Sequence, residues 1–258
     1  MIALITPTGN RPDQFALCQH YMKRQTYTGA VVWIIIDDCI PETTLQVTES
    51  FRENWTIIKT RPKPAWRPGD NTQGRNMNDG INTLVKNYSR HEIDCIFFIE
   101  DDDYYRPRYL ERMMELWDGC EILSETRTIY YNPVIRHYAV NGNVTYGSLF
   151  QTAIAYETIP KLRAVSHVKF IDGALWKTAT RKKLFYEDDL AVGIKGLPGR
   201  GGIGAGHSVN YSGMNPDISM KFLINKIGRD DAEKYAKYYR ADHLSQHPRI
   251  NRKRGKLL

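Results

Sequence analysis

Three runs, IALIT (residues 2–6), AVVWIII (30–36) and CIFFI (95–99), contain no charged side chain, and each is strand-length. A strand with one wet face alternates polar and apolar residues, so a run without alternation is covered on both faces. WTIIKT (55–60) reads as a further strand. Between them, Asp13 to Gln25 carries Phe15, Cys18, Tyr21 and Met22 at helical spacing, and Asn76 to Tyr88 reads as a second helix. Strands alternating with helices give an α/β, doubly wound architecture: a mostly parallel sheet with helices on both faces.

After about residue 125 the pattern loosens. TIYYNPVIRHYAV (128–140) reads as strands, SLFQTAIAYETIPKL (148–162) fits either element, and GIKGLPGRGGIGAGHS (193–208) is glycine-rich enough to read as a mobile loop. Two helices are expected over Asp217 to Ile227 and Asp230 to Tyr239, and HPRINRKRGKLL (247–258) reads as a basic, unstructured tail.

No apolar run approaches the roughly 18 residues of a membrane span, and the first residues lack the basic start and cleavage site of a signal peptide. A cytoplasmic location is therefore expected. Cys18, Cys39, Cys95 and Cys120 form no CxxC pair and sit beside apolar residues, which suits core filling rather than zinc or disulfides. The formal charge of +7 favours anionic partners.

In open parallel sheets, ligands bind beyond the carboxyl ends of the strands. Three polar motifs fall there: TPTGNRP after the first strand, Asp37 and Asp38 after the second, and Glu100, Asp101, Asp102 and Asp103 after the fourth. If extended backbone continued through the acidic run, Asp101 and Asp103 would share one side. Two carboxylates a few Å apart drive one pKa upward unless a cation neutralises them. An all-oxygen donor set suits Mg2+ or Mn2+, and such an ion suits a diphosphate. The same run also reads as an acidic turn in solvent that caps the helix near Arg106 and Pro107.

TPTGNRPDQF offers hydroxyls, a turn and Arg11 at a helix entrance for a nucleotide, or only a strand-to-helix turn capped by Asp13. GRNMNDGI (74–81) sets Arg75 and two asparagines at a helix start, where peptide N–H groups favour an anion.

Taken in order, ITPTGNRPDQF, IIIDDC, GRNMNDGI and FFIEDDDYYRPRYLERM resemble the nucleotide-sugar half of GT-A glycosyltransferases, especially the family-2-like group. The resemblance covers roughly residues 1 to 115. It implies that Thr6, Pro7, Asn10 and Arg11 line a nucleotide pocket, that Asp38 contacts base or ribose, and that Arg75 lies near the donor. Asp101, Asp102 and Asp103 would be metal and ribose ligands, with Glu100–Asp102 and Asp101–Asp103 as two possible registers. The implied layout is a donor half over 1–125, an acceptor and catalytic half over 126–242, and the tail over 243–258.

NPDISMKFL (215–223) resembles the segment carrying the family's catalytic base, which makes Asp217 the first choice; after Pro216 it is equally a helix-start residue. Glu187 and Asp188, beside Asp189, are the second choice, or a solvated turn. KFIDGALWKT resembles the segment closing the donor-sugar pocket, with Asp172 reaching sugar hydroxyls and Trp176 as an apolar wall or core residue. His207 would complete the metal site of a retaining enzyme, or is structural.

The positive charge and basic tail fit a hydroxylated base in DNA as acceptor, held through phosphate contacts. A glycan or lipid-linked acceptor fits the resemblance as well. From other classes, a nucleotidyltransferase and a nucleic-acid-binding module on a degenerate enzyme fold share the same α/β half.

Overall fold

The computed structural model describes residues 1–39, 51–187, 190–200, 207 and 213–240. The first half runs β1 (Ile2–Thr8), α1 (Pro12–Lys23), β2 (Val31–Asp37), β3 (Trp55–Thr60), α2 (Gln73–Asn87), β4 (Cys95–Phe98), β5 (Tyr104–Tyr105), α3 (Tyr109–Leu116) and β6 (Ile122–Glu125). The second runs β7 (Ile129–Asn132), β8 (His137–Val140), β9 (Thr152–Ile154), α4 (Ile159–Val165), α5 (Ile171–Thr178), β10 (Lys182–Phe185), β11 (Ala191–Ile194), β12 (Asn215–Pro216), α6 (Lys221–Ile227) and α7 (Arg229–Ala236).

The uncharged runs form the middle of the larger sheet, ordered β10-β6-β9-β4-β1-β2-β3. β1 pairs in parallel with β2 and β4, and β2 with β3, whereas β9 lies antiparallel between β4 and β6. Alternate residues leave β1 on opposite faces. Ile2 and Leu4 pack with Phe15, Cys18 and Met22 of α1, while Ala3 and Ile5 pack with Met77, Ile81 and Leu84 of α2. β2 and β4 divide in the same way, so every position of these strands is enclosed. Each such aliphatic side chain contributes roughly 1.5–3 kcal/mol by leaving water.

The smaller sheet runs β12-β8-β7-β11-β5. The two halves of the sequence interleave: β9 and β10 extend the first sheet, and β5 joins the second by pairing with β11. The chain order reverses at β1, with β4 on one side and β2 on the other, so a crevice opens beyond their carboxyl ends.

Four expectations shift. The backbone turns at residues 101–103, with the Asp103 amide donating to the Glu100 carbonyl at 3.4 Å, so the alternation that would align Asp101 with Asp103 does not apply. α2 begins three residues earlier than its apolar spacing suggests, which puts Arg75 and Asn76 in its first turn. α6 begins only at Lys221, because Asp217 is spent in the turn before it. Gly193 and Ile194 complete β11, since pairing with β7 fixes backbone that composition alone reads as loop. The expected basic tail and Asp188 lie outside the described residues.

Candidate functional site

A cleft of about 630 Å³ lies over the switch point, lined by the ends of β1 and β4, the approach to α2, the start of α5 and residues that follow β11. Its floor is acidic. Thr8 donates to Asp101 Oδ2 at 2.7 Å, and Arg11 Nη1 lies 3.0 Å from Asp101 Oδ1 while its other terminal nitrogen meets Asp102. Gln73 donates to Glu100 at 3.0 Å. Asp103 turns the other way: its Oδ1 accepts from the Ile194 amide at 2.7 Å and lies 3.4 Å from Lys195 Nζ, and its Oδ2 is buried with no hydrogen-bond partner.

One carboxylate oxygen each from Glu100, Asp102 and Asp103 comes within 4.8 Å of the others, a grouping that excludes Asp101 and His207. Burial pushes Glu100 up to about 7 and Asp103 well above the usual carboxylate range, against the pull of Lys195. Burial acts on Asp102 as well, but Arg11 and Lys195 hold it below its ordinary value. If all four carboxylates were ionised, the cations Arg11 and Lys195 would leave a formal −2, and the raised Glu100 and Asp103 show that this excess is unfavourable without a further cation. That excess, the orphaned Asp103 oxygen and the all-oxygen donor set fit a hard divalent cation.

A second polar node stands at the end of β2. Asp38 is buried and accepts from Thr72 Oγ1 at 2.6 Å, Asn76 Nδ2 at 2.7 Å, Arg75 Nη2 at 3.2 Å and Arg200 Nη1 at 2.5 Å. Although burial raises an aspartate, these donors hold Asp38 below its usual range. Arg200 also reaches Thr72 and lies 4.8 Å over the Trp66 ring.

Of the residues singled out in the sequence, Pro7, Arg11, Asp101, Asp102, Asp172 and His207 line the cleft, with Asp38, Arg75 and Asp103 directly behind its lining. Asn10 is exposed, with φ of 55°, and lies off the cleft. Thr6 is inside the sheet, accepting from the Trp33 indole at 2.8 Å, and Thr8 takes the edge position instead. Trp176 is buried in the core beside Leu175 and Ile171. Asp217 accepts from the Phe222 and Leu223 amides at 3.0 and 3.1 Å, capping α6 away from the cleft. Glu187 pairs with Arg108 and Arg112, both at 2.5 Å.

Asp172, in the first turn of α5, accepts from the Gly173 amide at 2.8 Å, and burial raises its carboxyl. His207 receives the Gly196 amide on Nδ1 at 3.4 Å. Burial, followed by the charge of Lys195, pushes it down to about 4, so the ring is neutral at pH 7. Sequence reasoning did not single out Thr72, Trp66, Lys195 and Arg200. The available signal was the pair of cations inside a glycine-rich stretch, a composition in which backbone and charge together reach anions.

This fold and this acidic edge define a GT-A glycosyltransferase, a class that moves sugars from nucleotide donors. Residues 3–170 match the model of glycosyl transferase family 2, and the chain belongs to that family. The fold is similar to that of TarS from S. aureus. The fragment 1–349 with UDP-GlcNAc superposes with a TM-score of 0.57 at 14% identity, covering 100% of this chain and 76% of that one. The same fragment with UDP gives 0.52 at 14% identity over 75% and 60%. A further TarS structure gives 0.56 at 13% identity, over 75% of this chain and 36% of that one. No curated protein matches significantly.

Proposed function

We propose that the protein transfers a sugar from a nucleoside-diphosphate sugar to a hydroxyl group, with the diphosphate seated over the acidic edge. The observation that carries this reading is the convergence of Glu100, Asp102 and Asp103 at the switch-point cleft of a family 2 chain. UDP and UDP-GlcNAc in the TarS structures support a uridine nucleotide as the first donor to test.

Glu100, Asp102 and Asp103 would hold Mn2+ or Mg2+; Asp101, engaged by Thr8 and Arg11, falls outside that group, Arg11 also meets Asp102, and neutral His207 lies nearby. When bound, the ion neutralises charge on the departing diphosphate. Asp38, with Thr72, Asn76 and Arg75, forms the base and ribose end, and Trp66 offers a stacking face. On the acceptor side Asp172 takes the proton of the attacking hydroxyl; the new bond forms at the anomeric carbon as the carbon–oxygen bond to phosphate breaks, leaving its electron pair on the diphosphate. A general base must reach the proton it removes, which favours Asp172 in the cleft over Asp217 in its cap. Attack opposite the leaving group inverts the anomeric centre.

For the acceptor, the +7 charge and the Lys169–Phe170 pair on the rim, Phe170 being 57% exposed, favour a hydroxylated base in DNA, with phosphates held by cations and the base laid on the ring. A transfer screen with Mn2+, a panel of nucleotide sugars, and plain DNA, hydroxymethylated DNA and simple glycans as acceptors tests this by mass spectrometry. A sugar-sized gain on hydroxymethylated DNA alone is expected. A gain only on glycans removes the DNA acceptor and keeps the enzyme class; no turnover of any donor removes the catalytic reading.

A further inference from the structure

Lysine side chains ordinarily carry their ammonium to water. Lys195, immediately after β11, does the opposite: its side chain is 7% exposed and its Nζ lies 3.4 Å from Asp103 Oδ1. The rings of Tyr130 and Phe150 enclose it, with centroids 5.3 and 5.5 Å from Nζ. Its amide donates to the Tyr131 carbonyl at 2.8 Å, so the backbone beneath is fixed as well. Gly193 makes the enclosure possible, because a Cβ there would come within 2.6 Å of the Tyr130 ring and 3.2 Å of Lys195 Cε.

The charges acting on Lys195 are those of Asp103, Asp102 and Glu100, the same three carboxylates whose oxygens converge within 4.8 Å. One carboxylate set therefore serves two cations, one tethered and one free to diffuse. In a buried site, solvent screens little of the repulsion between them. Arg11 is tied to Asp101 and Asp102, so it adds positive charge without leaving the floor.

We infer that Lys195 is a tethered counter-ion of Glu100, Asp102 and Asp103 that weakens capture of free Mn2+ or Mg2+, so that the divalent ion is held firmly only when a diphosphate enters with it. The inference rests on reading those three carboxylates as the metal site. It makes the protein stable without metal, since the ammonium already relieves the carboxylates' mutual repulsion. It also orders binding: the two negative groups of the diphosphate offset the positive charge that Lys195 adds.

The test is Mn2+ binding to the full chain, followed by electron paramagnetic resonance, for the wild type, Lys195→Met and Lys195→Arg, each with and without UDP. Methionine, one atom shorter, keeps an unbranched apolar chain against the two rings without the charge. Without UDP, Lys195→Met is expected to bind Mn2+ at least tenfold more tightly than the wild type, and Lys195→Arg to resemble the wild type. UDP is expected to tighten Mn2+ binding more in the wild type than in Lys195→Met. A folded Lys195→Met that binds Mn2+ no more tightly overturns the inference while leaving the metal site in place. Absence of Mn2+ binding by all three proteins, with UDP present, overturns both. If Lys195→Met does not fold, Lys195→Gln supplies the neutral variant under the same criteria.

Discussion

Arg200 Nη1 lies 2.5 Å from Asp38 Oδ1, joining residues 162 positions apart across the mouth of the cleft. On the same segment the Pro198 carbonyl accepts from Gln14 Nε2 at 2.5 Å, so residues 198–200 are fastened to α1 on one side and to the end of β2 on the other. Arg200→Ala removes a cation from the nucleotide end, yet leaves Asp38 with Thr72, Asn76 and Arg75. The dissociation constant for UDP with Mn2+ should rise about tenfold, roughly 1.4 kcal/mol, while thermal stability changes little. Calorimetric titration of UDP into both proteins checks this; equal affinities would remove Arg200 from the donor site.

The proposed base is Asp172, not the Asp217 that the sequence motif suggests. Asp172 lines the cleft and Asp217 caps α6. Asp172→Asn should lower kcat by about 10²-fold or more with UDP affinity unchanged. Burial raises its carboxyl and a base works only when ionised, so kcat/KM should climb with pH through a limb above the ordinary aspartate range, and that limb should vanish in the variant. Asp217→Ala should cost about 1 kcal/mol in denaturant unfolding and leave kcat per folded molecule intact. A large kcat loss in Asp217→Ala, with Asp172→Asn active, would reverse the assignment.

The half of the chain before residue 115 was readable because burial on both faces of a parallel strand erases alternation. The same local rule could not foresee β9 entering between β4 and β6, since that placement depends on partners distant in sequence. At the site, type and position were legible for Arg11, Asp38 and Asp102, which follow directly from strand ends. The register of the acidic run was not, because the turn at residues 101–103 depends on Asp103 being drawn to the Ile194 amide of the other sheet. Lys195 and Arg200 act through contacts 92 and 162 residues away, which no local pattern encodes.

Thr6 shows how a residue beside a motif can belong to the core. Its hydroxyl accepts from the Trp33 indole at 2.8 Å, and both side chains are fully buried. Valine fills the same space but leaves the indole N–H without an acceptor, a cost of about 1–3 kcal/mol. Urea unfolding of Thr6→Val should show that loss with an unchanged slope, and the folded fraction should bind UDP as the wild type does. Weakened UDP binding at full stability would return Thr6 to the nucleotide pocket.

Glu121 offers the clearest acid-sensitive contact outside the cleft. Its carboxylate accepts from Lys161 Nζ at 2.6 Å, Thr180 Oγ1 at 2.6 Å and the Thr180 amide at 3.1 Å, fastening the start of β6 to α4 and to the turn before β10. The hydrogen bond from Lys161, then that from Thr180, draws its pKa down to about 2 from an ordinary 4.5. A depressed carboxylate contributes its stability above the unfolded-state value and loses it as pH falls toward the folded one. Glu121→Gln should therefore lie about 1–2 kcal/mol below the wild type at pH 7. Because only the wild type binds an extra proton on unfolding in acid, that gap should hold down to about pH 5 and narrow steadily from there toward pH 3. Thermal melts of the two proteins across this range measure the gap directly; a constant difference at every pH would mean that Glu121 contributes by packing rather than by charge.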